Sequence, residues 1–281
     1  MNSTNPISEI SDEDLLNFEK NLTWTFTSVG AVEISNWLFS DYANIVNELW
    51  LGQHLGIITD RRGDEIVTNF ELHQNREHYL FCEKYKNSWL YFLRKLILGR
   101  LFVQYGNTQK PIIVNELPSA NFASNILTEA TPNTKVLIFV RDGLDVVNYK
   151  AATLLSVGKR LQIGLSNYSK NNKLEFLKME SRKWAKMTSI LLDIKKNHHE
   201  SLVKIIKFED FCENPIKKIS EIFEFVGIKT DQSKLSKFTS EIRIKISSQK
   251  LKFWNRGVLS QEEKDVIENI MKKNLRELKY D

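Results

Sequence analysis

Lys135-Val-Leu-Ile-Phe-Val140, followed by Arg141-Asp-Gly-Leu-Asp-Val-Val147, decides the fold. After Lys135 the first run is wholly apolar. Unbroken apolarity over so few residues marks a strand buried on both faces, as in a parallel sheet covered by helices on each side. Arg141-Asp142-Gly143 ends the run, and helical spacing begins at Leu144. Working outward, three more short runs read as strands: Leu22-Thr-Trp-Thr-Phe-Thr-Ser28, Pro111-Ile-Ile-Val-Asn115 and Val203-Lys-Ile-Ile-Lys-Phe208. Helical patterns lie between them. A short one ends near Leu22, and another runs from Ala31 to Leu49, where Val32, Trp37, Leu38, Tyr42 and Ile45 share a face. Others cover Ser88 to Tyr105, Pro118-Ser119 to about Ala130, Leu174 to Asn197 and Asn214-Pro215 to Phe225. The last covers Ser260 to Leu278 and opens with a capping-box pattern, Ser260 and Glu263. Gly52 to Lys86 reads as polar loop plus helix, and Leu161 to Asn172 as a polar loop. Strands alternating with helices predict an α/β fold with ligands at the carboxyl ends of the strands.

The 281 residues suit a tail and short helix over 1–21 and one domain over 22–281. A hydrophobic share of 42% supplies a core and excludes wholesale disorder. The net charge of +5 suits an anionic ligand and falls short of a nucleic-acid footprint, so no nucleic-acid partner is expected. Two cysteines, Cys82 and Cys212, exclude a disulfide framework and a Cys-rich zinc site, which points to a reducing, cytoplasmic setting. The start Met-Asn-Ser-Thr-Asn-Pro has no apolar core of a signal peptide. The longest apolar stretch, Trp89 to Tyr105, carries Arg94, Lys95 and Arg100, so no membrane span is expected. No residues have metal-ligand spacing. Oligomeric state is left open.

Three strand ends attract interest: Thr27 to Val32, Asn115 to Ser119 and Arg141 to Gly143. Thr27-Ser28-Val29-Gly30-Ala31-Val32 joins a strand to a helix through a glycine turn, the arrangement in which backbone N–H groups and a helix dipole face an anion. A plain strand–helix turn explains the same residues. Arg141 ends the strongest strand, where its planar donor fork could clamp a phosphate or make a structural salt bridge. Asp142 is placed to cap the following helix. Phe208-Glu209-Asp210-Phe211 with Asn214-Pro215 reads as structural, and His198-His199 as a solvated helix end.

Together these pieces resemble the sulfotransferases that use 3′-phosphoadenosine 5′-phosphosulfate (PAPS). Pro132-Asn-Thr-Lys-Val-Leu-Ile-Phe-Val-Arg-Asp-Gly-Leu-Asp-Val-Val147 is similar to the family's strand and Arg-Asp motif for the 3′-phosphate. Lys204 to Pro215 with Ile222-Phe-Glu-Phe-Val-Gly-Ile228 is similar to its Tyr-Glu-Asp-Leu…Asn-Pro…Phe-Leu-Gly-Ile segment, and Trp254 to Glu263 to its ending. Trp184 stands on the helix that often carries a Trp. The resemblance spans roughly Leu22 to Tyr280. It implies a P-loop-kinase-like central parallel sheet flanked by helices on both faces. It also implies sulfuryl transfer from PAPS to a hydroxyl or amine of a small-molecule or glycan acceptor, with PAP as product and no metal.

The resemblance also assigns roles. Thr27, Ser28, Val29, Gly30, Ala31 and Val32 would hold the 5′ end, and Arg141, Tyr149, Arg256 and Gly257 the 3′-phosphate. The chain departs from the family at several of these positions. Ser28 replaces the loop cation, and Ala31 and Val32 replace two hydroxyl residues. Glu116, in Asn115-Glu116-Leu117-Pro118, stands where relatives carry Lys, which makes it a candidate base for the acceptor proton. Tyr149 takes the phosphate-binding Ser position, and its phenol can donate. His78 is a second candidate base, in a region with His54, His73, Glu71 and Glu83. Three readings follow: a sulfotransferase, a non-catalytic nucleotide- or partner-binding relative, and a kinase-like phosphoryl transferase. The missing Walker Lys-Ser/Thr pair speaks against the third.

Overall fold

The structure is a computed structural model that describes residues 10–27, 38–48, 59–62, 65–68, 86–116, 124–160, 170–229 and 259–280. Among the described residues, five strands form the central sheet: β1 (Leu22–Thr27), β2 (Asn44–Glu48), β5 (Ile112–Glu116), β6 (Lys135–Val140) and β7 (Val203–Lys207). Their spatial order is β2-β5-β1-β6-β7, and every neighbouring pair is parallel. β6 spans the residues that its apolar run marks out, and five of its six are buried. β3 (Thr59–Arg62) and β4 (Glu65–Thr68) form a separate antiparallel pair.

The strands feed two cores because successive side chains leave a strand on opposite faces. Leu22, Trp24 and Phe26 of β1 join Val136, Ile138 and Val140 of β6 in one core. Helices α1 (Asp12–Glu19), α2 (Lys86–Tyr105), α3 (Ser124–Ala130), α4 (Gly143–Arg160), α5 (Lys170–Asn197) and α8 (Gln261–Glu277) contribute to that core. Leu137, Phe139, Ile113 and Ile206 enter the other core. There they meet α6 (Phe208–Glu213) and α7 (Pro215–Val226) through Phe211, Ile219, Ile222 and Phe223. Helices therefore cover both faces, as the unbroken apolar strands require.

Buried polar groups pin this frame. The Glu19 side chain is fully buried, and its Oε2 accepts from Arg94 Nη2 at 2.8 Å while its Oε1 accepts from the Asn133 N–H at 2.9 Å. One carboxylate thus joins α1, α2 and the turn before β6. Trp24 Nε1 donates to Thr131 Oγ1 at 2.9 Å, so its polar atom is satisfied inside the core. Ser260 accepts from the Glu263 N–H, and the Glu263 carboxylate accepts from the Ser260 N–H, which closes the capping box at the start of α8.

Three readings of the sequence are corrected. Asn44–Glu48, expected within a helix, is the edge strand β2. Its start is fixed by the Asn44 N–H donating to the Pro111 carbonyl at 2.9 Å and by Asn44 Nδ2 donating to Thr108 Oγ1 at 2.8 Å. The stretch read as loop plus helix contains the β3–β4 pair. His198 is not simply solvated, whereas His199 is exposed as its reading expects. His198 is half-buried with Nε2 3.3 Å from the Thr128 carbonyl, and His199 Nδ1 accepts from the Ser201 N–H at the start of a 3-10 turn, Glu200–Leu202.

Candidate functional site

Parallel strands bring all five carboxyl ends to one edge of the sheet. β1 lies between β5 and β6, and the chain crosses from one side of β1 to the other between them. This reversal is where open α/β sheets bind ligands. Thr27 ends β1 and is buried, paired in register with Phe139. Glu116 ends β5 on one side, and Arg141 follows β6 on the other. Two strand spacings separate these flanking strands, about 10 Å.

The turn after β6 is built by four sets of contacts. Asp142 Oδ1 accepts from the Leu144 N–H at 2.9 Å, the N-cap that its position predicts. The Asp142 N–H donates to Glu209 Oε1 at 3.0 Å, which ties the turn to the start of α6. The guanidinium of Arg141 lies over the Phe208 ring at 5.2 Å, within cation–π range. Gly143 lies flat against Trp184: a Cβ there would stand 2.7 Å from Trp184 Cδ2 and 2.7 Å from Met271 Sδ. Only a glycine lets α4 start this close to α5 and α8. Trp184 therefore packs beneath the Arg-Asp motif.

Electrostatics around the turn are mixed. Burial, helped by the carboxylates of Asp145 and Glu209, raises Asp142 from 3.8 to about 6, while the Leu144 N–H and Arg141 pull it down. Burial and the Glu209 carboxylate push the Cys212 thiol up to about 12, so it is not an activated nucleophile. Burial and the same Glu209 carboxylate raise Tyr280, which holds its phenol as an O–H donor. That phenol donates to Glu209 Oε2 at 2.7 Å.

The structure brings together Thr27, Glu116 and Arg141 as strand-end positions on one sheet edge. Tyr149 lies two turns into α4 and is 46% exposed. Ser28, Val29, Gly30, Ala31, Val32, His78, Arg256 and Gly257 lie outside the described residues, as do His54, His73, Glu71 and Glu83. Two features escaped sequence reading. Glu48 is in register with Glu116 at the carboxyl edge of β2. Glu209 and Tyr280 clasp the Arg141 turn, and no local pattern marks a contact between residues 71 positions apart.

Among the described residues, no group of three or more His, Cys, Asp or Glu could hold a metal ion, and no helix is long and apolar enough to cross a membrane.

No curated protein sequence matches the chain. Several solved structures are similar. One is a sulfotransferase from Alicyclobacillus acidocaldarius, 15% identical over 90% of this chain and 95% of that one, with a TM-score of 0.43. Another is a mouse sulfotransferase complexed with PAP, 12% identical over 95% of this chain and 90% of that one, TM-score 0.45. A third is retinol dehydratase in complex with androsterone and PAP, 13% identical over 96% of this chain and 85% of that one, TM-score 0.45. The profile of the sulfotransferase family matches residues 56–232, more than half of the 281, and takes in the Arg141 turn, Trp184 and Glu209. The chain belongs to the sulfotransferase family.

Proposed function

We propose that the chain transfers a sulfuryl group from PAPS to a hydroxyl or amine of a small-molecule or glycan acceptor. The observation that carries this reading is the Arg141-Asp142-Gly143 turn, held beside the carboxyl end of β1 in a sulfotransferase-family sheet. The residues present fit a nucleotide with a 3′-phosphate. Arg141 offers a planar fork of donors, backed by the Phe208 ring. The Glu209 carboxylate, which would oppose an anion, is already engaged by the Asp142 N–H and the Tyr280 O–H. Asp142, at about 6, is close to taking a proton and losing its opposing charge.

In this reading the acceptor oxygen or nitrogen attacks sulfur in line. A bond from sulfur to the acceptor forms as the bond to the bridging phosphate oxygen breaks, and PAP leaves. Backbone N–H groups from Thr27 to Val32 hold the 5′ end, without the usual loop cation. Arg141, Tyr149, Arg256 and Gly257 hold the 3′-phosphate. Glu116 at the end of β5 takes the acceptor proton, and His78 is the other candidate. Oriented donors at the developing charge supply the larger part of such a rate enhancement.

A second reading, nucleotide binding without turnover, is favoured by Ser28, Ala31, Val32 and Glu116, which remove cation and hydroxyl groups. One experiment separates the two. PAP, with ADP as control, is titrated while the melting temperature is followed, and labelled PAPS is then offered with mixed acceptors. PAP at about 100 times its dissociation constant stabilises the fold by roughly 2.7 kcal/mol. A PAP-specific shift with labelled product supports the transferase, and a shift without product favours the second reading. Equal shifts with PAP and ADP refute the transferase and keep nucleotide binding without turnover, and no shift with either refutes both and leaves partner binding without catalysis.

A further inference from the structure

We infer that Tyr280 and Glu209 form a positioning pair that sets the Arg141 turn, and with it the discrimination between nucleotides that carry a 3′-phosphate and those that do not. This rests on Arg141 being the reader of that phosphate. Neither residue needs to touch the nucleotide.

The end of β7 presents three consecutive residues with different tasks. Lys207 donates through Nζ to the Lys279 carbonyl at 2.9 Å, and its ammonium lies 4.4 Å from the centre of the Tyr280 ring. Phe208 supports the Arg141 guanidinium. Glu209 divides its carboxylate: Oε1 accepts the Asp142 N–H at 3.0 Å and Oε2 accepts the Tyr280 O–H at 2.7 Å. The Tyr280 oxygen also lies 3.5 Å from the Val140 carbonyl, the residue before Arg141. The turn is therefore gripped through the Asp142 N–H, with the Tyr280 oxygen set beside the Val140 carbonyl on the other side of the arginine.

The segment after α8 is shaped for this contact. Lys279 has φ of 57°, a left-handed conformation uncommon for a residue with a side chain. The Tyr280 N–H donates to the Leu275 carbonyl at 2.9 Å, which folds the segment back onto its helix. The reversal brings the phenol to the sheet edge. Burial holds that phenol protonated, so it remains a donor over the working pH range. Without the phenol, Glu209 Oε2 loses this bond, and the carboxylate can rotate away from the Asp142 N–H. A guanidinium fork reads a phosphate only at a fixed angle, so small rotations of the turn weaken that contact first.

The test is a double-mutant cycle of Tyr280→Phe and Glu209→Gln, read as dissociation constants for PAP and ADP. Tyr280→Phe keeps the ring over Lys207 and removes only the hydroxyl. The expected result is PAP binding weaker by roughly tenfold, ADP binding within about twofold, and a double variant no weaker than the worse single one. Circular dichroism and melting curves identify any variant that fails to fold, and Tyr280→Phe is the conservative arm. Equal loss for PAP and ADP, or additive losses, would overturn the pair as a positioning device. If the wild-type protein binds PAP and both variants bind it equally well, the pair is refuted while the 3′-phosphate reading stands. If the wild type shows no preference for PAP, that reading falls and the inference falls with it.

Discussion

Asp142→Asn isolates the electrostatic cost of the turn. The wild-type carboxyl rises from 3.8 to about 6 because it is buried and faces Asp145 and Glu209. A carboxyl whose folded value is raised contributes full stability below its unfolded value and loses it as pH climbs through the folded value. The window here runs from about pH 4 to above pH 6. The shift of about two units corresponds to roughly 3 kcal/mol lost between those limits. Asparagine keeps the N-cap on the Leu144 N–H and cannot ionise, so the variant lacks this slope. Urea unfolding of both proteins at half-unit steps from pH 4 to 7.5 gives the difference directly, with other titrating groups cancelling. The variant should match the wild type near pH 4 and exceed it by as much as about 3 kcal/mol at pH 7, less whatever the weaker neutral cap gives back. A phosphate on Arg141 should raise Asp142 further, so PAP should bind more tightly as pH falls from 7 to 6 and take up a proton. A stability difference that stays constant across the series would refute the argument, because Asp142 would then not titrate abnormally.

Three further outcomes are expected. Gly143→Ala places a methyl 2.7 Å from Trp184 Cδ2 and should destabilise by about 1–3 kcal/mol in a urea melt, despite the better helix propensity of alanine. Arg94→Ala strands the buried Glu19 carboxylate and should cost about 3 kcal/mol or more, whereas breaking an exposed pair such as Lys196–Asp193 should leave the urea midpoint almost unchanged. Arg141→Lys keeps the charge and removes the fork, so PAP binding by calorimetry should weaken at least about tenfold.

Sequence reveals the inner strands β5, β1 and β6, and also β7 at the other edge, where Val203, Ile205 and Ile206 keep a β-branched run. β6 and β1 lie inside the sheet: β6 is marked by an unbroken apolar run and β1 by β-branched and aromatic residues. Among the described residues β2 pairs with β5 alone, and Asn44-Ile-Val-Asn-Glu48 has just two apolar residues, so the helical spacing upstream extends over it. β3 and β4 carry charges, Asp60, Arg61, Arg62 and Glu65, and their signal is the Gly63-Asp64 pair between Arg62 and Glu65. A two-residue glycine turn is evidence for a hairpin even without apolar alternation.

The site divides in the same physical way. Arg141 and Asp142 were legible because one ends an apolar run and the other precedes a helix, both local facts. Gly143 carried no message of its own. Its reason is the Trp184 ring, 41 residues away in sequence and set against it by the packing of α5 on α4. Glu209 reads as structural, and in its immediate contacts it is: it accepts hydrogen bonds from the Asp142 N–H and the Tyr280 O–H. Its importance lies in which groups it joins. One bond reaches the Asp142 N–H beside Arg141 and the other reaches Tyr280, so the turn that carries the arginine is tied to a residue far along the chain. A reading based on motifs finds the residue that meets the ligand. The residues that aim it are found only when the fold has brought the distant segments together, and in this chain that distinction falls between Arg141 and Tyr280.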